Sequence, residues 1–102
     1  MSITSKQRSQ LRGIAAEEDT IIIIGKSGIN ESVIASVNDA LNARELVKGK
    51  VLENSMLTAR EACDALSEAC GAEQIQVIGT KFVLYKRNNK SPKIELIKDK
   101  KA

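Results

Sequence analysis

No histidine occurs anywhere in this 102-residue sequence. The side chain that most often serves as general base or metal ligand is therefore missing. Tryptophan is absent as well, and Phe82 and Tyr85 are the only aromatic residues, so the core has to be aliphatic, built from Ile, Val, Leu and Ala. Two cysteines, Cys63 and Cys70, stand seven positions apart in a segment that reads as one helix. That spacing corresponds to roughly 10.5 Å of helical rise, too far for an unstrained disulfide, and both read as buried apolar thiols. No cysteine pair has zinc spacing, and no serine sits in a nucleophile elbow. Glu17, Glu18 and Asp19 cluster where a solvated helix end is expected. These absences argue against catalysis, a metal centre or a cofactor. There is no signal-peptide pattern, and the longest isoleucine run, Ile21 to Ile24, is far too short to span a bilayer. A cytoplasmic protein with no membrane partner and no small-molecule substrate is expected.

What is present fits one domain. The apolar fraction is 42%, near the ordinary globular range, so a real core can form. The net charge is +3 and the pI about 9.0, compatible with a polyanionic partner without requiring one. The charge is unevenly spread. After Tyr85 come seven basic residues (Lys86, Arg87, Lys90, Lys93, Lys98, Lys100, Lys101) against Glu95 and Asp99. The end of the chain thus carries +5, and the preceding 85 residues carry −2. A smaller basic group is formed by Lys6, Arg8 and Arg12.

Local patterns give an element order. Thr4 and Gln7 form a capping-box signature, opening a helix over residues 5–17 with Leu11, Ile14 and Ala15 inward. Residues 20–24 are β-branched without alternation, the pattern of a strand buried on both faces. Asn30 is a good N-cap, with Glu31 in the first turn of a helix to residue 43. Residues 45–53 read as a second strand, with Val47, Gly49 and Val51 alternating against Lys48 and Lys50. Gly49 weakens it, or marks a bulge or the close approach of another chain. Thr58 and Glu61 make a second capping box, for a helix that stops at Cys70 with Gly71 as C-terminal cap. Residues 74–78 and 81–86 are strands joined by Gly79-Thr80, a dipeptide suited to a type II′ hairpin. The result is an α/β fold, a two-layer sandwich of order α-β-α-β-α-β-β with a mixed four-stranded sheet. Residues 1–87 make the domain, and residues 88–102 a basic tail expected to be partly disordered.

One short motif has a mechanism attached. Gly25-Lys26-Ser27-Gly28 follows the isoleucine strand and precedes a capped helix. Glycines let the backbone approach a ligand, the helix start offers unpaired N–H groups, and Lys26 adds a charge. The spacing is neither that of a nucleotide-binding P-loop nor of a Rossmann turn. The same four residues also suit a plain strand-to-helix turn, but a GxxG loop is the device with which KH modules clamp nucleic-acid backbone.

Four blocks in order carry a wider likeness: Ser5-Lys6-Gln7-Arg8 with Leu11; Gly25-Lys26-Ser27-Gly28; Ala43-Arg44-Glu45-Leu46-Val47-Lys48; and Gln76-Val77-Ile78-Gly79 leading into Phe82-Val83-Leu84-Tyr85-Lys86. Across residues 4–87 the chain resembles the CRM domain family (chloroplast RNA splicing and ribosome maturation), above all its single-domain bacterial YhbY-type members. The resemblance implies a fold similar to the C-terminal domain of translation initiation factor 3, and RNA binding without enzymatic activity. The partner it implies is rRNA of the precursor large ribosomal subunit. It also places the RNA contact on Gly25, Lys26, Ser27 and Gly28 with the adjoining basic surface. Lys6, Arg8, Arg12, Lys48, Lys86 and Arg87 are the candidates for that surface, each of which also suits a solvated charge. A monomer is expected. Gly49 departs from the family pattern, which usually has an apolar β-former there, and the lysine-rich tail lies outside the family core. Two other readings are a protein-binding adaptor using the basic tail, and a general RNA chaperone not tied to the ribosome. Tyr85 is the one candidate for base stacking, if it is not a half-buried strand residue.

Overall fold

A computed structural model describes residues 3–87 and residue 94. The elements follow in the order α1 (Ser5–Ala15), β1 (Ile22–Ile24), α2 (Glu31–Arg44), β2 (Leu46–Val51), α3 (Ala59–Cys70), β3 (Glu73–Ile78) and β4 (Lys81–Tyr85). Both capping boxes form. The Thr4 hydroxyl accepts from the Gln7 N–H while the Gln7 side chain accepts from the Thr4 N–H, and Thr58 and Glu61 repeat the arrangement. Helix α1 stops two residues before the expected end. Its last turn tightens, with Glu17 N–H donating to Ile14 and Glu18 N–H to Ala15, the i→i−3 bonding that commonly closes a helix. Gly71 adopts a left-handed φ of 66° and caps α3.

The four strands form one mixed sheet in the order β1-β2-β4-β3, with β1 parallel to β2 and the other neighbours antiparallel. In the β3–β4 hairpin Gly79 has φ 58° and Thr80 has no positive φ, as a type II′ turn requires. The α/β class, the element order and the mixed four-stranded sheet are as the sequence predicts. Helices lie on both faces, however, so α1 adds a third layer to the two expected. On one face α2 and α3 pack over Ile22, Ile24, Val47, Val51, Phe82 and Leu84. On the other α1 lays Leu11 and Ala15 over Leu46, Ile75, Val83 and Tyr85.

Strand β1 is an edge strand, and this corrects the reading of its isoleucines. Ile22 and Ile24 are buried, whereas Ile21 and Ile23 are exposed, because α1 does not reach far enough to cover their side of the sheet. Gly49 is not at a bulge, for it pairs in regular register with Phe82. It faces Phe82 across the sheet, and a Cβ on it would stand 2.3 Å from the Phe82 ring. The glycine makes room for the aromatic ring. The register shift in the sheet falls instead in β3, between Gln74 and Gln76.

Glu45 closes α2 and opens β2. It is fully buried with φ 68° and ψ −35°, a sparsely populated conformation that costs a non-glycine residue about 1–3 kcal/mol. Several bonds hold it there: its N–H donates to Leu41 C=O, its C=O accepts from Lys86 N–H, and its carboxylate accepts from Ile94 N–H at 2.7 Å. Ile94 is the one tail residue described, and it packs beside the cluster under α1. The rest of the expected disordered tail lies outside the described residues.

Candidate nucleic-acid interface

The chain leaves β1 at Ile24 and turns at once. Gly28 N–H donates to Gly25 C=O at 3.0 Å, closing Gly25-Lys26-Ser27-Gly28 as a four-residue turn. The two glycines have different reasons to be there. Gly28 has φ 69°, which favours glycine, whereas a Cβ on Gly25 would only touch Leu52 Cδ1 at 3.7 Å. Lys26 and Ser27 are exposed at the tip. Two residues on, Asn30 caps α2, its side-chain oxygen accepting from Val33 N–H at 3.0 Å. Glu31 sits in the first turn of α2 and already offsets part of the helix dipole. An anion at this turn therefore depends on Lys26 and the turn amides more than on the helix end.

At the same end of the sheet, α1 covers its own face only partly. Register places Lys48 opposite Val83, and Lys50 opposite Lys81, so alternation puts all three lysines on the α1 side. Lys48 reaches up to α1 and donates to Ala15 C=O at 3.2 Å. Arg12 projects from α1, hydrogen-bonded to Ser9 Oγ at 3.0 Å. Together they line a groove of about 510 Å³ between the end of α1 and the sheet, with Lys81, Gln76, Ile78 and Val83 completing its walls. Among the described residues the salt bridges are Arg44–Glu18 at 3.6 Å and Arg60–Asp64 at 3.9 Å. None of the groove cations takes part in either.

The structure thus brings Arg12 and Lys48 together but separates other predicted residues. Arg8 is half-buried and donates to the Gln74 carbonyl, which ties α1 to β3. Lys6 is exposed on the first turn of α1, about 9 Å of helical rise from Arg12. Lys86 and Arg87 are exposed at the end of β4, about 17 Å of extended chain beyond Lys81 and so at the opposite end of the sheet from the turn. Tyr85 is no stacking platform, for it is only 1% exposed and Phe82 is 0% exposed. Sequence reasoning missed Lys50 and Lys81. The alternation of Lys48 and Lys50 signalled a shared strand face, but the non-local pairing that sets Lys81 beside them has no local signature.

The cysteines are not reactive groups. Burial, with the Asp64 carboxylate adding to it, pushes the Cys63 thiol up to about 11, and burial also raises Cys70. Both are free and buried. Among the described residues no group of three or more His, Cys, Asp or Glu could hold a metal ion, and no helix is long and apolar enough to cross a membrane.

Residues 3–86 match the family described as the CRS1 / YhbY (CRM) domain. The chain belongs to that family. The CRM match runs from α1 through β4 and includes both the turn and the groove. The chain is similar to the Bacillus subtilis protein named "Probable RNA-binding protein YqeI", 36% identical over 94 residues that cover 92% of this chain and 98% of the relative. It is 34% identical over 95 residues to a Haemophilus influenzae protein named "RNA-binding protein", covering 93% of this chain and 95% of that one. Among solved structures, SAV1595 from Staphylococcus aureus superposes with a TM-score of 0.77 at 42% identity, covering 94% of this chain and all of the other.

Proposed function

We propose that this CRM protein binds RNA without catalysis, capturing backbone phosphates with the Gly25–Gly28 turn and the cations beside it. The observation that carries this reading is the exposed Lys26-Ser27 tip at the same end of the sheet as a groove lined by Arg12, Lys48 and Lys81 with no carboxylate among its lining residues. Such a surface suits a polyanion, and the names of the relatives point to RNA as that polyanion. Contacts of this kind position a nucleic acid more than they read its sequence. Lys6, Lys86, Arg87 and the basic residues 88–102 add attraction from further away. The likeness to single-domain bacterial members supports a cytoplasmic role in ribosome assembly, on rRNA of the precursor large subunit.

Fluorescence anisotropy with labelled RNA at several salt concentrations tests the binding. The logarithm of affinity should fall linearly with the logarithm of salt, and Lys26→Ala should reduce the slope by about 0.7, the loss of one single-strand phosphate contact. An unchanged affinity and slope in Lys26→Ala would remove the turn from the site. Sucrose-gradient sedimentation of cell extract tests the address. Co-migration with particles lighter than the mature large subunit supports assembly. Migration with RNA of every kind favours a general RNA chaperone, and association with protein alone favours an adaptor.

A further inference from the structure

The sheet face left open by α1 has more order than a charged patch. Strand register sets Ile23, Lys50, Lys81 and Ile78 in a single row across all four strands. Ile23 is 50% exposed and Ile78 62% exposed, so the row reads apolar, cation, cation, apolar. Lys50 and Lys81 are direct cross-strand partners, an arrangement in which like charges destabilise a sheet. Neither has an ion-pair partner among the described residues. The row behind it carries Lys48, Val83 and Gln76 in register, with Arg12 overhanging from α1.

We propose that this groove binds one unstacked base of a single-stranded RNA, with the flanking phosphates on Lys50 and Lys81. The proposal rests on the RNA reading above and extends it from backbone capture at the turn to base contact on the sheet. The volume of about 510 Å³ falls within the roughly 300–1,000 Å³ typical of sites for small organic ligands. Ile78, 62% exposed, offers an aliphatic floor for the face of a planar ring, with the nearly buried Val83 at the back of the groove. Arg12 offers the flat guanidinium that can cover the other side, a role the two buried aromatics cannot fill. Gln76, also in the lining, has both a donor and an acceptor for a base edge. An acidic peptide would satisfy the lysines but present no flat apolar face. Duplex RNA keeps its base faces stacked and is recognised by backbone and shape, so an unstacked base is the form that can enter.

Methyl-resolved NMR of the full chain, titrated with a single-stranded mixed-sequence RNA hexamer, tests this. Ring currents from an inserted base should move the Ile78 and Val83 methyl resonances upfield. A blunt duplex of the same sequence and poly-glutamate should not produce that movement. Lys50→Ser with Lys81→Ser should weaken single-strand binding roughly tenfold and lower the salt slope by about 1.4, two phosphate contacts. Unchanged resonances of the buried Leu84 and Ile24 methyls would show that the double variant is folded. Lys26→Ala should keep the methyl shifts at saturating RNA. The groove proposal is overturned alone if RNA moves the amides of residues 25–28 but not these methyls, and the double variant binds like the parent. If RNA moves neither set, the RNA reading falls with it. If poly-glutamate shifts the same methyls as far as RNA does, the groove is a seat for an acidic protein segment instead.

Discussion

Gly49 lacks a side chain because the Phe82 ring occupies the space where one would go. Adding even a methyl group there forces ring and strand apart, and overpacking of this kind costs about 1–3 kcal/mol. Gly49→Ala should lower stability by an amount at the upper end of that range, read as a shift of the urea midpoint with no change in slope. From the sequence alone the glycine looked like a weakness in a strand, since the residue it accommodates lies 33 positions away. Tyr85 was ambiguous for a similar reason: strand alternation gives the side a residue faces, not whether a helix covers that side. The buried thiols were legible directly from helical spacing. Cys63 carries a pH consequence. Below its ordinary value of 9.0 the thiol is protonated in both the folded and unfolded chain, and its burial is fully accommodated. Between 9.0 and about 11 the unfolded chain ionises first, so stability falls as pH rises through that window. Cys63→Ala should flatten this decline in stability measured by urea unfolding at pH 8 to 11, whereas an equal decline in the variant would assign it to other groups, such as Tyr85, whose hydroxyl is also raised by burial.

At the level of elements, the caps were the most readable features. Thr4 with Gln7, Asn30, and Thr58 with Glu61 all start helices where the sequence places them, because a cap depends on residues within four positions of one another. Strand β1 was misread because an unbroken isoleucine run is the same string whether a strand is central or at an edge. The missing information is where α1 lies, and α1 is placed by long-range bonds. Arg8 on the Gln74 carbonyl and Lys48 on the Ala15 carbonyl hold its two halves to β3 and β2. Removing the Arg8 bond should cost about 1–3 kcal/mol and loosen α1 in preference to α3. Hydrogen exchange of Arg8→Ala should accelerate in residues 5–15 while residues 59–70 keep their protection. Uniform acceleration in both helices would mean that α1 docking is not a separable event.

At the scale of the whole molecule, the candidate RNA-contacting cations among the described residues fall toward two ends of the sheet. The turn and groove occupy one end, and Lys86 and Arg87 mark the other. The composition revealed the basic C-terminal end but not that β4 carries Lys86 and Arg87 away from the turn, since the direction of a strand is fixed only by its partners. This separation predicts a length dependence. Lys86→Ala with Arg87→Ala should leave the affinity for a tetranucleotide unchanged and weaken binding of a longer RNA that can reach both ends, measured by anisotropy at constant salt. Equal weakening for both lengths would mean that the two ends do not act as separate contacts. The seclusion of Tyr85 has an optical consequence. It is the sole tyrosine of a chain without tryptophan, and its hydroxyl is buried with no hydrogen-bond partner among the described residues. Its emission should therefore respond when α1 lifts from the sheet and stay constant when ligand arrives at the surface, so the protein carries an intrinsic fluorophore for folding that is silent to binding.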